Sequence, residues 1–255
     1  MIVALIDGDI FVYRAALGNQ TTTDWGEDKT TEVDLQAALQ DAEEFVHEVA
    51  ETLIADRTIV CLSHTENFRK AIYPPYKAKR NGKSKPLAWR PIREMLKSKF
   101  EVKIKETLEA DDVLGILMTH PKLVPGKKVI ASIDKDLLQI PGRHFNPNTK
   151  DKRVVKEIDG EWLFFKQTLM GDPVDEYPGV PGIGPKKAQA IIQEAVNANA
   201  HLCGTLTACV WEDIVATYEK AGLTAGDALV QARVARILRH TDYDFKTKRP
   251  ILWSP

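Results

Sequence analysis

Short continuous apolar runs alternate, over the first 150 or so residues, with stretches whose apolar positions recur every three or four residues. "IVALIDGD" (2–9) is apolar until it ends in Asp-Gly-Asp, the pattern of a central parallel strand and its carboxyl-end loop. Residues 34–55 place Leu35, Leu39, Ala42, Val46, Val49 and Leu53 at helical spacing. "TIVCLS" (58–63) predicts a second buried strand, "VKIKET" (102–107) a short one and "KKVIASI" (127–133) another. Between them, "PIREMLKSKF" (91–100) and "EADDVLGILMTH" (109–120) predict helices, while the polar stretch 18–33 predicts a loop. Strands alternating with helices imply an α/β domain with a mostly parallel sheet flanked by helices. From about residue 160 the pattern turns helical, through "GEWLFFKQTLMGD", "PKKAQAIIQEAV", "VWEDIVATYEKAG" and "GDALVQARVARILRH". The expected division is therefore 1–158, including a basic segment 67–100, and 159–255, with the carboxyl-terminal helices packed on the sheet.

Composition narrows the class. The 255 residues are 44% hydrophobic and 28% charged, as in an ordinary globular protein. No apolar run approaches the roughly 20 residues needed to span a bilayer, so no membrane partner is expected. The amino terminus reaches two acids within nine residues and lacks the basic start of a secretory leader. Three cysteines are too few for a disulfide framework, which favours a reducing cytoplasm. His201, Cys203 and Cys209 match no standard zinc spacing. The net charge of −1 hides a separation of signs. From Arg69 to Lys105 thirteen basic residues face only Glu94 and Glu101, so the remainder is acidic. A solvated face mixes signs; this separation points to a polyanionic partner beside an acidic pocket.

Four acidic groups punctuate the chain: Asp7 and Asp9; Glu109, Asp111 and Asp112; Asp134 and Asp136; Asp172 and Asp175. Taken singly, acids in a first helical turn suit the helix dipole and Asp after a strand makes a turn. Jointly, three of the groups fall at carboxyl ends of strands or at the start of the following helix, where open α/β sheets gather their sites. Two carboxylates about 4 Å apart near a surface repel by about 4 kcal/mol. Hard divalent cations such as Mg²⁺ or Mn²⁺, with oxygen ligands, resolve that conflict.

Two further elements suit nucleic acid. "GVPGIGPKKAQAII" (179–192) has its glycines in the wrong order for a dinucleotide fingerprint, and no strand precedes it. It reads as a tight turn around Gly182 and Gly184, opening a helix whose first amides, beside Lys186 and Lys187, suit a backbone phosphate; a plain turn between helices is the equal alternative. "NFRKAIYPPYKAKR" (67–80) interleaves Phe68, Tyr73 and Tyr76 with Arg69, Lys70, Lys77, Lys79 and Arg80, and Lys83 follows. Aromatics that stack on bases and cations that hold phosphates are the combination used for single strands.

In order, "LIDGD", "FRK…YKAKR", "EADD", "SIDKD", "MGDPVD" and "GVPGIGPKKA" resemble the motifs of the flap endonuclease/5′→3′ exonuclease family. The resemblance extends through "ARILRHTDYDF" and "ILW", which are similar to its phage branch, so it spans nearly the whole chain. It implies a PIN-like fold with a helical helix–hairpin–helix subdomain. It implies a first-metal set of Asp7, Glu109, Asp111 and Asp112, and a second set of Asp134, Asp136, Asp172 and Asp175, with Asp134 shared. It implies Lys77 and Arg80 on the scissile phosphate, Tyr76 stacked on the terminal base, and a potassium ion on the carbonyls of Val180 and Ile183. Asp9 receives no role. Two departures stand out: His64 occupies a position that is usually Asp, which puts one metal site in doubt, and Glu176 follows Asp175 where Asn is usual.

The function implied is metal-dependent 5′→3′ hydrolysis of duplex DNA by two ions, with flap and RNA–DNA hybrid cleavage expected by analogy, in the host cytoplasm if phage-encoded. No obligatory protein partner is implied. The rivals are a catalytically weakened DNA-binding scaffold of the same fold, kept open by His64, and a PIN-type ribonuclease, disfavoured by the glycine hairpin.

Overall fold

The computed structural model describes residues 1–26, 29–199 and 204–255; His201 and Cys203 lie outside them. The elements run β1 (Ile2–Asp7), α1 (Gly8–Gly18), β2 (Gln20–Asp24), β3 (Lys29–Val33), α2 (Leu35–Leu53), β4 (Arg57–Cys61), α3 (Arg69–Ile72), α4 (Trp89–Lys99), β5 (Glu101–Lys103), α5 (Ala110–Thr119), β6 (Lys127–Ala131), β7 (Gly142–Phe145) and β8 (Lys152–Val155). Helices α6 (Glu157–Met170), α7 (Pro185–Asn199), α8 (Leu206–Lys220) and α9 (Ala225–Ala235) follow. Two compact units result, neither contiguous in sequence: 1–66, 83–134 and 142–154, then 67–82, 135–141 and 155–255. Thus residues 67–82, expected with the sheet, belong with the helices.

The first unit is built on a six-stranded sheet in the order β5-β4-β1-β6-β7-β8. The pairs β1–β4, β4–β5, β1–β6 and β6–β7 are parallel. Side chains alternate across a strand. Ala4 and Ile6 join α1, α2 and α4 in one apolar cluster. Val3, Leu5 and Asp7 therefore face the other way, the side on which α5 packs against β1, β4 and β6. The chain leaves β1 for β4 and β5, then returns to β6 on β1's other edge. That reversal opens the crevice at the carboxyl ends where α/β sheets place their sites. Gly8 is needed there: a Cβ would lie 2.6 Å from Val60 Cγ1 and Leu62 Cδ2.

The expected loop at 18–33 is instead an antiparallel hairpin, β2 with β3. Its strands are mostly exposed and carry consecutive threonines, so no apolar alternation marks them; β-branched residues supply the strand preference.

The helical unit packs Phe164, Phe165, Leu169, Ile192, Ile214 and Tyr218 into a core. Its carboxyl tail is anchored by Trp253, which meets Phe164 and Trp211 edge-on at 5.2 and 4.9 Å, while Arg233 Nε donates to the Trp253 carbonyl at 3.1 Å. Between α6 and α7 the chain folds back on itself with Gly171 against Gly179: a Cβ on either would come within 2.3 Å of backbone atoms. No helix among the described residues is long and apolar enough to cross a membrane. Removing the aromatic anchor should leave a cavity, so Trp253→Ala is expected to lower unfolding free energy by about 3 kcal/mol in a urea titration. A loss under about 0.5 kcal/mol, the range of neutral surface changes, would show that the tail is not anchored.

Candidate active site

In the first unit Asp7 ends β1 and is 2% exposed. Its Oδ2 accepts from Ser132 Oγ at 2.8 Å, bridging the crevice from β1 to the loop after β6. Asp134 leaves that loop with its amide donating to the same Ser132 hydroxyl at 3.0 Å. Burial raises the Asp7 carboxyl from about 3.8 to about 7; the Ser132 hydrogen bond opposes this and the charges of Asp9 and Asp134 add to it.

Asp9 is a strut. Its Oδ1 accepts from Arg93 Nη1 at 2.8 Å and its Oδ2 from the Ser63 amide at 3.0 Å. Arg93, 7% exposed, also donates from Nη2 to the Ser63 carbonyl at 2.7 Å and lies over Trp89 at 4.7 Å. Arg93 was legible only as one cation of a basic stretch. The missed signal is its position on α4, one residue after buried Ile92 and three before buried Leu96.

Helix α5 starts at the same rim because its crossover leaves from β5. The Ala110 amide donates to Ser63 Oγ at 2.9 Å and the His64 amide to the Leu108 carbonyl at 2.8 Å. Glu109 and Asp112 form a reciprocal cap, with the Glu109 amide on Asp112 Oδ2 at 3.2 Å. Asp112 is fully buried and Asp111 half-buried. His64 Nδ1 accepts the Glu66 amide at 3.1 Å, so that nitrogen serves a turn.

In the second unit Asp136 Oδ1 accepts from Gln167 Nε2 at 2.7 Å. Asp172 Oδ1 accepts the amides of Val174 and Asp175 at 2.6 and 3.1 Å, and its backbone bridges Tyr177. The Tyr177 phenol is pushed well above 10, first by burial and then by Asp172, Asp136 and Asp175. Those three acids therefore share one neighbourhood. Asp175 receives Tyr76 Oη at 3.0 Å and Lys77 Nζ at 3.2 Å on Oδ2, and Arg80 Nη2 at 3.2 Å on Oδ1.

Two DNA-contact expectations need correction. Tyr76 is 2% exposed, inside the helical core, so its ring is not offered to a base. Arg69 is 3% exposed and spends its guanidinium on the carbonyls of Val234 and Arg236, at 2.9 and 2.6 Å. Cations and prolines surround both in sequence, which suggests the surface; their hydrogen-bond partners lie 99 positions away for Tyr76 and 165 and 167 for Arg69. Lys70 Nζ donates to Asn81 Oδ1 at 2.9 Å, and Lys79, Lys83 and Lys186 are exposed. In the hairpin, Gly182 has φ +76°, and both Gly182 and Gly184 have open space where a side chain would project. Lys187 Nζ donates to the Gly182 carbonyl at 3.1 Å, and the Ile183 amide to the Val180 carbonyl at 3.1 Å.

Among the described residues no group of three or more His, Cys, Asp or Glu side chains is already arranged around a metal position. The donor set is nonetheless all carboxylate, suited to a hard divalent ion. A cleft of about 870 Å³ in the first unit, lined by Phe11, Arg14, Glu44 and Phe45 among others, contains none of these candidates.

Residues 2–165 match the model of the 5′-3′ exonuclease N-terminal, resolvase-like domain. The chain belongs to the 5′-3′ exonuclease family. It is 25% identical to the exodeoxyribonuclease of Enterobacteria phage T3 and 27% identical to the exonuclease of Escherichia phage T7, in each case over 99% of this chain and 93% of the relative. Its fold is similar to that of the phage T5 protein co-crystallised with metal ions: TM-score 0.65, 18% identity, 91% of this chain and 90% of that one. A T5 flap endonuclease complex with DNA and metal ions superposes with TM-score 0.58 at 18% identity, covering 91% and 89%. The likeness confirms the PIN-like α/β architecture of the family.

The displaced Asp7 carboxyl has a thermodynamic consequence. Because its folded value exceeds its unfolded one, the folded chain holds the extra proton between about pH 4 and 7, and stability falls as pH rises through that window. In EDTA, Asp7→Asn should match the parent below pH 4. Above pH 7 it should be more stable by about 2–4 kcal/mol. Parallel stability–pH curves would show that Asp7 is not desolvated.

Proposed function

We propose that the protein is a divalent-metal-dependent 5′→3′ exodeoxyribonuclease acting on duplex DNA, with flap cleavage as a second activity and RNA–DNA hybrids as a further substrate. The observation that carries this reading is a buried carboxylate, Asp7, at the switch point of the sheet with Asp9 and Asp134 adding to its charge, in a chain of this family. Burying such an anion is unfavourable unless a cation offsets it.

Asp7, Glu109, Asp111, Asp112 and Asp134 would hold one Mg²⁺ or Mn²⁺, and Asp136, Asp172 and Asp175 the other. Bound there, the ions would supply the Lewis acidity that generates a hydroxide-like nucleophile and stabilises the leaving 3′ oxygen. The protein's own residues do the rest. Lys77 and Arg80, adjacent on Asp175, present two cations to one phosphate and stabilise the charge that gathers on it. The open turn at Gly182 and Gly184, with Lys186 and Lys187, holds the duplex backbone without reading bases. Val180 and Ile183 would offer carbonyls to K⁺. His64 is left outside the metal set, its Nδ1 already serving a turn.

Cleavage of 5′-labelled duplex DNA with Mg²⁺, Mn²⁺ or EDTA tests the reading. Ion-dependent release of label from the 5′ end is expected; binding without cleavage would establish the scaffold alternative, and cleavage confined to RNA the ribonuclease one. Asp134→Ala and Asp136→Ala should each abolish cleavage while leaving DNA affinity within about threefold; full activity in either would overturn the two-ion assignment. Lys186→Ala should weaken duplex binding regardless of sequence and flatten log Kd against log salt by about one unit. An unchanged slope would remove Lys186 from the interface.

A further inference from the structure

The basic turn that carries Lys77 and Arg80 is held by a residue outside every set described so far. Residues 78–80 form one turn of 3₁₀ helix, and the Lys79 amide donates to Glu176 Oε2 at 2.6 Å, across 97 positions of sequence. First-turn amides lack a partner within their own helix, so Glu176 acts as a remote cap. Its neighbour reinforces the contact: the Lys77 amide donates to the Asp175 carbonyl at 2.9 Å. Glu176 Oε1 also lies 3.7 Å from Lys79 Nζ, but that lysine side chain is 79% exposed while the glutamate is 15% exposed. Solvent screens the ion pair; the sheltered amide bond is the stronger tie.

Glu176 and the residue that opens the capped turn are both strained. Lys77 has φ +53° and Glu176 φ +63°, a left-handed region in which non-glycine residues are uncommon and Asn is favoured over Glu. Asn at 176 would sit more comfortably, yet its side chain is one methylene shorter than the reach to the Lys79 amide requires. We propose that Glu176 is a positioning residue for the nuclease reaction, fixing the turn from which Lys77 and Arg80 address the phosphate. This rests on the proposed function above. The alternative is that Glu176 matters only as a surface charge, or only to folding.

Two substitutions separate these. Glu176→Gln keeps an oxygen at the same reach and removes the charge; Glu176→Asn relieves the backbone and withdraws the oxygen. Amide exchange is read first, without DNA or metal, so its outcome is independent of whether the nuclease reading holds. Lys79 exchange should accelerate about tenfold in Glu176→Asn and stay near the parent's in Glu176→Gln. On 5′-labelled duplex with Mg²⁺ or Mn²⁺, Glu176→Asn should lose about tenfold in kcat with KM little changed and a melting temperature no lower than the parent's. Glu176→Gln should retain kcat within about twofold. Parental Lys79 protection in Glu176→Asn would overturn the proposal. So would an equal fall of kcat in both variants, which would assign the effect to charge, or a fall that tracks a lowered melting temperature. Absence of cleavage by the parent would instead count against the nuclease reading, leaving the exchange result to decide whether Glu176 holds the turn.

Discussion

A carboxylate at the end of a fully buried strand is the constraint around which the first unit is arranged. Asp7 follows four consecutive core residues, Val3 to Ile6, and cannot escape to water without breaking β1 from its two parallel neighbours. The surroundings meet it with modest polar compensation. Ser132 offers a hydroxyl, and the Ile10 amide in the first turn of α1 also lowers its pKa, as the positive end of a helix should. Gly8 lets α1 begin directly behind it, against Val60 and Leu62. Asp9, the like charge that raises the Asp7 pKa most, is tied to Arg93. These contacts hold Asp7 in place without cancelling the cost of its charge, which is why its carboxyl remains raised.

The second unit treats its acids differently. Asp175 is surrounded by donors from the 76–80 segment, Asp172 by amides of its own turn, and Asp136 by Gln167. These half-buried carboxylates are each held by donors, and the bonds to Asp175 fix the geometry of the basic segment. Burying Tyr76 and Arg69 in the helical core serves that end too: the segment is pinned at its start by Arg69 and near its middle by Tyr76, and its cations emerge from a rigid base. Arg69 and Tyr76, which look like ligand contacts in sequence, thus act as anchors of that segment.

The sequence alone determined what depends on local composition and short-range period. Continuous apolar runs announced β1, β4 and β6, because a strand covered on both faces needs no polar positions. Glu109 with Asp112, and the glycines at 179, 182 and 184, announced a helix start and a tight turn, since capping and positive φ are decided within a few residues. The ordered acid motifs carried the family. What only tertiary structure decided were pairings across long stretches of chain. The β2–β3 hairpin escaped because exposed threonines have no burial period. Arg69 and Tyr76 looked solvent-facing until partners distant in sequence, the carbonyls of Val234 and Arg236 and the Asp175 carboxylate, enclosed them. Arg93 and Glu176 looked like ordinary surface charges until Asp9 and the Lys79 amide gave them partners. A side chain's charge is written in the sequence, but its burial and its partner are set by packing between segments, and packing decides whether a charge contacts a ligand or holds the fold.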